Sequence, residues 1–371
     1  MIDQPQYSRI AQILAERIDH GDYHLTPMPS GRKLAEEMAV SHIVVRKAME
    51  KLIADGRLRR LANGRLEVLP FGMERQRQPL SIAMLNPAFD CSYFIRCSQM
   101  LERVIADEGY LFRKVNYVHW NDPAIREALS GFDGVFLLGS TEPLTQATIN
   151  LLRRGPARVA TLDLDLTSAK IPRLVLFDAS CVRLLLEHLA ELGHRRIDYI
   201  NTQPCDVETL RRIDAWKTWC RQNRIPGELH NRPVEHYGDP IQAARELTLQ
   251  LQRSGKLSAT ALFCTNEAIA YGVLRALRDC GVRVGEEISV CTIGDGGNAR
   301  YFCPSITSVE FPDISDLVRR VLVWMAGREA KWSGDLQLTV AELPFFHGES
   351  TAPAAAEYGR VPVECGMGGS R

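Results

Sequence analysis

No stretch of this 371-residue chain approaches the roughly 20 consecutive apolar residues of a membrane-crossing helix, so the membrane-spanning classes drop out first. The opening residues, MIDQPQYSRIAQILAERI, are charged throughout and hold no apolar core, so they do not read as a secretory leader. Net charge is missing as well. The 45 Lys and Arg face 45 Asp and Glu, which excludes a chain that is basic or acidic as a whole and leaves only local patches. Ten cysteines are present, yet none forms a C-x-x-C pair, and Cys264 in ATALFC and Cys291 in ISVCTI sit in apolar runs. They read as buried free thiols in a reducing cytoplasm, neither a disulfide framework nor a zinc site. Nucleophile elbow, Walker loop, zinc-protease helix and internal repeat are all absent. GDGGNA at 294–299 has dinucleotide-fingerprint spacing, but Pro304 stands where the following helix would run. No catalytic residue, metal or cofactor is therefore expected, and the chain reads as a non-enzyme.

What is present begins at Pro29. The stretch PSGRKLAEEMAVSHIVVRKAMEKLIADGRLRRLANGRLEV reads as helix, tight turn, second helix and a small β-hairpin. Ser30 and Ser41 can each accept from an orphan backbone N–H at a helix start. Val45, Ala48, Met49, Leu52 and Ile53 recur on one helical face, with His42, Arg46, Lys47 and Glu50 on the other. Gly56 suits a helix end, and Asn63-Gly64 between Arg57–Ala62 and Arg65–Leu69 is a two-residue hairpin signal. Tyr7, Ile10, Ile13, Leu14 and Ile18 give an earlier support helix. Between Val40 and Arg65, Arg46, Lys47, Lys51, Arg57, Arg59, Arg60 and Arg65 outnumber Glu50 and Asp55. A basic helix and hairpin in this order is a winged helix-turn-helix, shaped for the major groove of duplex DNA.

Tyr7, Ile10, Gly21, Pro29-Ser30, Arg32, Leu34-Ala35, Val40-Ser41, Val45-Arg46, Ala48, Leu52, Gly56 and Asn63-Gly64 resemble the signature of the GntR family of bacterial regulators over about the first seventy residues. The resemblance implies DNA contacts at Arg32, Ser41, His42, Ile43, Arg46 and Gly64. Lys47, Arg60, Asn63 and Arg65, with Arg57 and Arg59, extend that basic surface. Four positions depart from the family pattern. Gly31 stands for the usual Glu, Ala39 for the turn Gly, and His42 and Ile43 stand where Arg and Thr are common. Ala39 at positive φ would cost on the order of 1 kcal/mol, and the last two imply a different base preference.

Residues 70–79, PFGMERQRQP, are polar and bounded by prolines, a linker composition. Beyond it, short apolar runs alternate with amphipathic ones: SIAML at 81, a helix near 96–108, GVFLLG at 134, a helix near 143–154, RVATL at 158, RIDYI at 196, a helix near 208–223, ATALFC at 259, a helix near 266–280 and ISVCTI at 288. This is βαβ alternation, and ligands of such sheets sit beyond the carboxyl ends of the strands. Asp90, Ser92, Tyr93, Phe94, Asp163, Asp165, Arg212, Trp216, Asn266, Glu267 and Asp295 follow those strands. Carboxylates, amides and an Arg beside aromatic faces suit a polyhydroxylated ligand. Each residue alone reads equally well as a loop polar group or a helix cap.

FDAS at 177, LEHLAELGHRRIDYI at 186–200, RIDAW at 212–216, TALFCTNEAIAYGVLRALRDCGVRVGEEISV at 260–290 and PSITSVEFP at 304–312 resemble the effector domain of the LacI/GalR family over about residues 80–348. The resemblance implies two Rossmann-like lobes like those of periplasmic sugar-binding proteins. It places ligand contacts on Asp163, Arg212 and Asn266. Gly294-Asp295 replaces the family's paired Asp, and Glu267 replaces an Asp.

The expectation is thus an α/β chain with a winged helix-turn-helix at 1–69, a linker at 70–79, an effector-binding domain at 80–350 and an unstructured tail at 351–371. It would act as a cytoplasmic, homodimeric repressor on a pseudo-palindromic operator, governed by a small carbohydrate-like effector. A non-sugar metabolite as effector, an enzymatic body behind a DNA-binding head, and a transport solute-binding protein are the alternatives.

Overall fold

The computed structural model describes residues 5–19, 28–55, 57–61, 65–68, 79–89, 91–294, 296–327 and 332–354. Gly56, Asn63-Gly64, Asp90, Asp295, residues 70–78 of the linker and residues 355–371 of the tail lie outside these. The chain divides into two compact units, 1–78 and 79–371.

The first unit holds α1 (Gln6–Asp19), α2 (Gly31–Glu37), α3 (His42–Ala54), β1 (Leu58–Arg60) and β2 (Leu66–Val68). Both Ser caps form: Ser30 Oγ accepts from Lys33 N and Ser41 Oγ from Val44 N, each at 3.4 Å. Leu14, Leu34, Val45, Ala48, Leu52 and Leu58 close a small core between the three helices and the hairpin. β1 and β2 pair antiparallel, with Leu58 opposite Val68 and Arg60 opposite Leu66. Ala39 in the α2–α3 turn lies at φ 54°, the left-handed region in which its Cβ is strained.

The second unit contains β3 (Ser81–Pro87), α4 (Ser92–Asp107), β4 (Leu111–Tyr117), α5 (Pro123–Gly131), β5 (Gly134–Leu138), α6 (Gln146–Arg154), β6 (Arg158–Leu162), β7 (Arg173–Val175), α7 (Ala179–Glu191), β8 (Ile197–Asn201), α8 (Val207–Asn223), β9 (Leu229–Asn231), α9 (Pro240–Arg253), β10 (Ala261–Cys264), α10 (Glu267–Asp279), β11 (Ser289–Gly294), β12 (Thr307–Glu310), α11 (Ser315–Ala326), β13 (Gln337–Thr339) and β14 (Phe345–Phe346). Two six-stranded sheets result. One runs β13-β7-β6-β5-β3-β4, wholly parallel, and the other β14-β12-β11-β10-β8-β9, parallel but for β14. Strands β5, β8 and β10 are buried along their whole length, as strands covered on both faces must be.

Each sheet with its helices is a lobe. The chain crosses between lobes three times: between β7 and α7, between β12 and α11, and between β13 and β14. Short polar caps decide where most helices begin: Asp122, Thr145, Asp178, Asp206, Asp239 and Asn266 each accept from a first-turn N–H. α4 has no such side-chain cap at Cys91, and it starts four residues before the expected 96. Six described cysteines, Cys97, Cys181, Cys220, Cys264, Cys280 and Cys291, are buried thiols.

Candidate functional site

Two surfaces emerge, one in each unit. In the first, the polar face of α3 is open: His42, Ile43, Arg46, Lys47 and Glu50 are all exposed. Arg46 lies 3.7 Å from Glu50 with both side chains more than half exposed, a pair too solvated to hold the guanidinium. Arg32, Ser41, Arg60 and Arg65 are exposed too. A Cβ on Gly31 would lie 3.4 Å from His42 Nε2, so two positions that depart from the family signature are neighbours in space. Arg57 is different. Its Nη1 donates to the Ala15 carbonyl at 3.4 Å, which ties the hairpin to α1 instead of presenting a free cation.

In the second unit, the residues that follow the strands gather between the lobes. Asp163 sits just past β6 at φ 56°. Its Oδ2 accepts from Tyr93 Oη at 2.6 Å and its Oδ1 from Leu176 N at 2.7 Å. Burial pushes the Asp163 carboxyl above its ordinary range, against those hydrogen bonds and the nearby positive charges of Arg212 and Arg173. Burial, and then the adjacent Asp163, likewise raise Tyr93, so its proton stays in the bond. From the other lobe, Arg212 in α8 donates to the Thr265 carbonyl at 3.3 Å. Asn266 Oδ1 caps α10 through Ile269 N at 3.1 Å, while its amide nitrogen donates to Gln203 Oε1. Gln203 Nε2 in turn donates to Thr209 Oγ1 at 2.5 Å.

Three expected ligand contacts are placed otherwise. Phe94 is 7% exposed and packs in the first lobe's core. Trp216, 3% exposed, packs on Tyr199 and borders an open hollow of about 580 Å³ with Lys217 and Arg221 at the opposite end of its sheet. Both are long apolar side chains on helix faces that turn toward a sheet, and helical spacing carried them into the core. Glu267 has no exposed surface and braces a loop: its Oε1 accepts from Asn298 N at 3.0 Å. A Cβ on Gly296 would collide with Glu267 Oε2 and with Ser92 of the other lobe, so only glycine permits that approach. Burial raises the Glu267 carboxyl. Asp90 and Asp295 lie outside the described residues.

The lobes meet on both flanks of this crevice. On the β7 side, Arg173 and Arg211 alternate with Asp165 and Glu208. Arg173 Nη2 reaches Glu208 Oε1 at 2.9 Å and Arg211 Nη2 reaches Asp165 Oδ2 at 2.9 Å, both between lobes, and Arg211 Nη1 returns to Glu208 Oε1 at 2.6 Å. Burial works against Asp165, but hydrogen bonds from Thr167 and Arg211 prevail and hold its carboxyl at about 2. Burial raises Glu208 in spite of the two arginines. On the β4 side, Thr141 Oγ1 lies 2.5 Å from His236 Nδ1, Tyr237 Oη donates to the Val118 carbonyl at 3.2 Å, and Phe89 packs edge-on against both rings. Sequence reasoning missed Gln203, although it follows β8 as the other polar residues follow their strands. It also missed His236, because β9 is too short to announce itself.

Comparison with known proteins gives matches in both units. Residues 6–68 match the gntR family of bacterial regulatory proteins, and 186–335 match the periplasmic binding protein-like domain. The lactose operon repressor of Escherichia coli (strain K12) is 28% identical over 171 residues, 45% of this chain and 46% of its own length; the matched stretch therefore spans about half of that relative. The arabinose metabolism transcriptional repressor of Geobacillus stearothermophilus is 23% identical over 83% of this chain and 87% of its own. Among solved structures, a LacI family transcriptional regulator from Arthrobacter sp. FB24 in complex with lactose superposes with TM-score 0.60 at 19% identity, covering 74% of this chain and 99% of that one. No helix among the described residues is long and apolar enough to cross a membrane.

Proposed function

We infer that this chain, which joins a gntR-family helix-turn-helix domain to a periplasmic binding protein-like domain, is a sequence-specific transcriptional repressor whose operator affinity is set by a small carbohydrate-like effector. One observation carries the reading. A single chain presents a solvent-open basic helix face at Arg46 and Lys47 and, in a separate unit, a crevice where Asp163, Arg212 and Asn266 converge from two lobes. Neither surface alone requires the other. Together they make a sensor and an output.

In this reading Arg32, Ser41, His42, Arg46, Lys47, Arg60 and Arg65 meet DNA, the exposed cations on phosphates and the start of α3 on base edges. One such head covers few base pairs, so two act together, as a homodimer on a pseudo-palindromic operator in the cytoplasm. The effector's hydroxyls donate to Asp163 and accept from Arg212 and the Asn266 amide, with Tyr93 alongside. Binding shifts the balance between open and bridged lobes, and operator affinity changes with it. The coupling is reciprocal, so operator must change effector affinity by the same factor. The chain is a switch in this scheme, and its chemistry is recognition without turnover.

The experiment is a thermal-shift screen of neutral, acidic and phosphorylated monosaccharides, because a ligand held only by the folded state raises its melting temperature. It is followed by a gel-shift titration of the operator with and without the ligand found. Arg212→Ala should bind operator and ignore the ligand, and Arg46→Ala should do the reverse. A variant Arg212→Ala that keeps the full ligand response refutes the crevice assignment. Operator binding should also weaken steeply with salt as phosphate contacts release counterions; salt-insensitive binding refutes the basic surface.

A further inference from the structure

Ile43 is 60% exposed at the second residue of α3, while Val45, Ala48, Met49 and Leu52 of the same helix are buried. Its exposed neighbours on the same turns, His42, Arg46, Lys47 and Glu50, are all polar. A lone exposed apolar residue is ordinary on most of a protein surface. Here position makes the difference. The amino-terminal turn of a reading helix is the part that meets base edges, and Arg46 and Lys47 lie one turn further along to engage the backbone.

A side chain with neither donor nor acceptor cannot read the hydrogen-bonding pattern of a base pair. The major-groove edge offers such a side chain one matching feature, the 5-methyl group of thymine. We propose that Ile43 is a specificity-determining residue that packs against a thymine methyl in each operator half-site. The inference rests on the DNA-binding reading above and adds the chemical group recognised. It also accounts for why a hydrocarbon replaces the hydroxyl-bearing Thr common there: the position selects by methyl burial in place of a hydrogen bond.

The test uses the full chain. Duplexes enriched from a random library supply the half-site. Each thymine is then replaced singly by deoxyuridine, which removes only the methyl group and keeps every donor and acceptor. At one position per half-site the affinity should fall about fourfold, the worth of one methyl taken out of water. Ile43→Ala should bind the thymine and uracil duplexes equally at that position. Because Ile43 is exposed, this variant keeps the core of the unit, and an unchanged melting curve checks it. Uracil tolerated at every position, or a methyl dependence that persists in Ile43→Ala, overturns the inference while leaving DNA binding in place. A library that shows no enrichment overturns the DNA-binding reading itself, and this inference with it.

Discussion

Arg173, the first residue of β7, donates from Nη2 to Glu208 Oε1 at 2.9 Å, and the two belong to different lobes. The Arg173 side chain is 4% exposed. Its charge is therefore held in a place where it depends on Glu208 and on Asp165 at 3.5 Å. Removing it leaves Arg211 alone to hold both carboxylates. Arg173→Ala should cost about 3 kcal/mol, the low end for breaking a buried pair since Glu208 is partly exposed. It should also enlarge the unliganded protein in small-angle scattering. Unchanged dimensions would show that the pair stabilises the fold without joining the lobes.

Ala39 at φ 54° carries a strain that glycine lacks. It is exposed, so nothing else changes when its methyl is removed. Ala39→Gly should stabilise the first unit by about 1 kcal/mol, less a few tenths for the more flexible unfolded chain. Equilibrium urea unfolding of this variant would read it, and a loss of stability would contradict the turn geometry.

Asn266 serves two masters: its oxygen caps α10 and its amide nitrogen reaches Gln203. Asn266→Asp keeps the capping oxygen and removes the donor, whereas Asn266→Ala removes both. The first should hold stability within a few tenths of a kcal/mol and lose effector affinity; the second should lose about 1 kcal/mol as well. Calorimetric titration of both variants with the effector separates the roles. An Asp variant that binds normally would confine Asn266 to capping.

His194 is buried between Thr260 Oγ1 at 2.8 Å and Ser289 Oγ at 2.9 Å, and burial lowers it to about 4. A histidine depressed on folding contributes stability that is present above its unfolded value near 6.5 and is lost as pH falls toward 4. Between pH 7 and pH 5 this residue alone should remove about 2 kcal/mol. Denaturant titrations at the two values measure the loss, and His194→Gln should abolish most of the difference.

The head was legible because its signals are local. Ser30 and Ser41 cap the helices they were expected to cap, and the apolar face of α3 is buried as its spacing implies. In the body the long runs announced β3, β5, β6, β8, β10 and β11. Three-residue strands such as β7, β9 and β13 did not, since periodicity needs more residues than they possess. Tyr93, Asp163, Arg212 and Asn266 could be picked out from their places after strands. Trp216 and Phe94 misled because an aromatic on a helix looks the same in sequence whether it turns to the sheet or to the crevice. Glu208 lies 35 residues from Arg173, and no local pattern encodes that pairing.

The third crossing has a consequence for synthesis. β13 completes the first sheet beside β7, and β14 completes the second; after β14 the Ser350 carbonyl accepts from Val290 N and Ala354 N donates to the Leu192 carbonyl. The first sheet lacks its edge until β13 has left the ribosome, and the second until β14 has. The amino-terminal unit is compact by itself and is finished much earlier. Under the proposed function, a nascent chain would thus acquire its DNA-reading surface before the part that governs it is finished, and a truncated product would be a head without restraint.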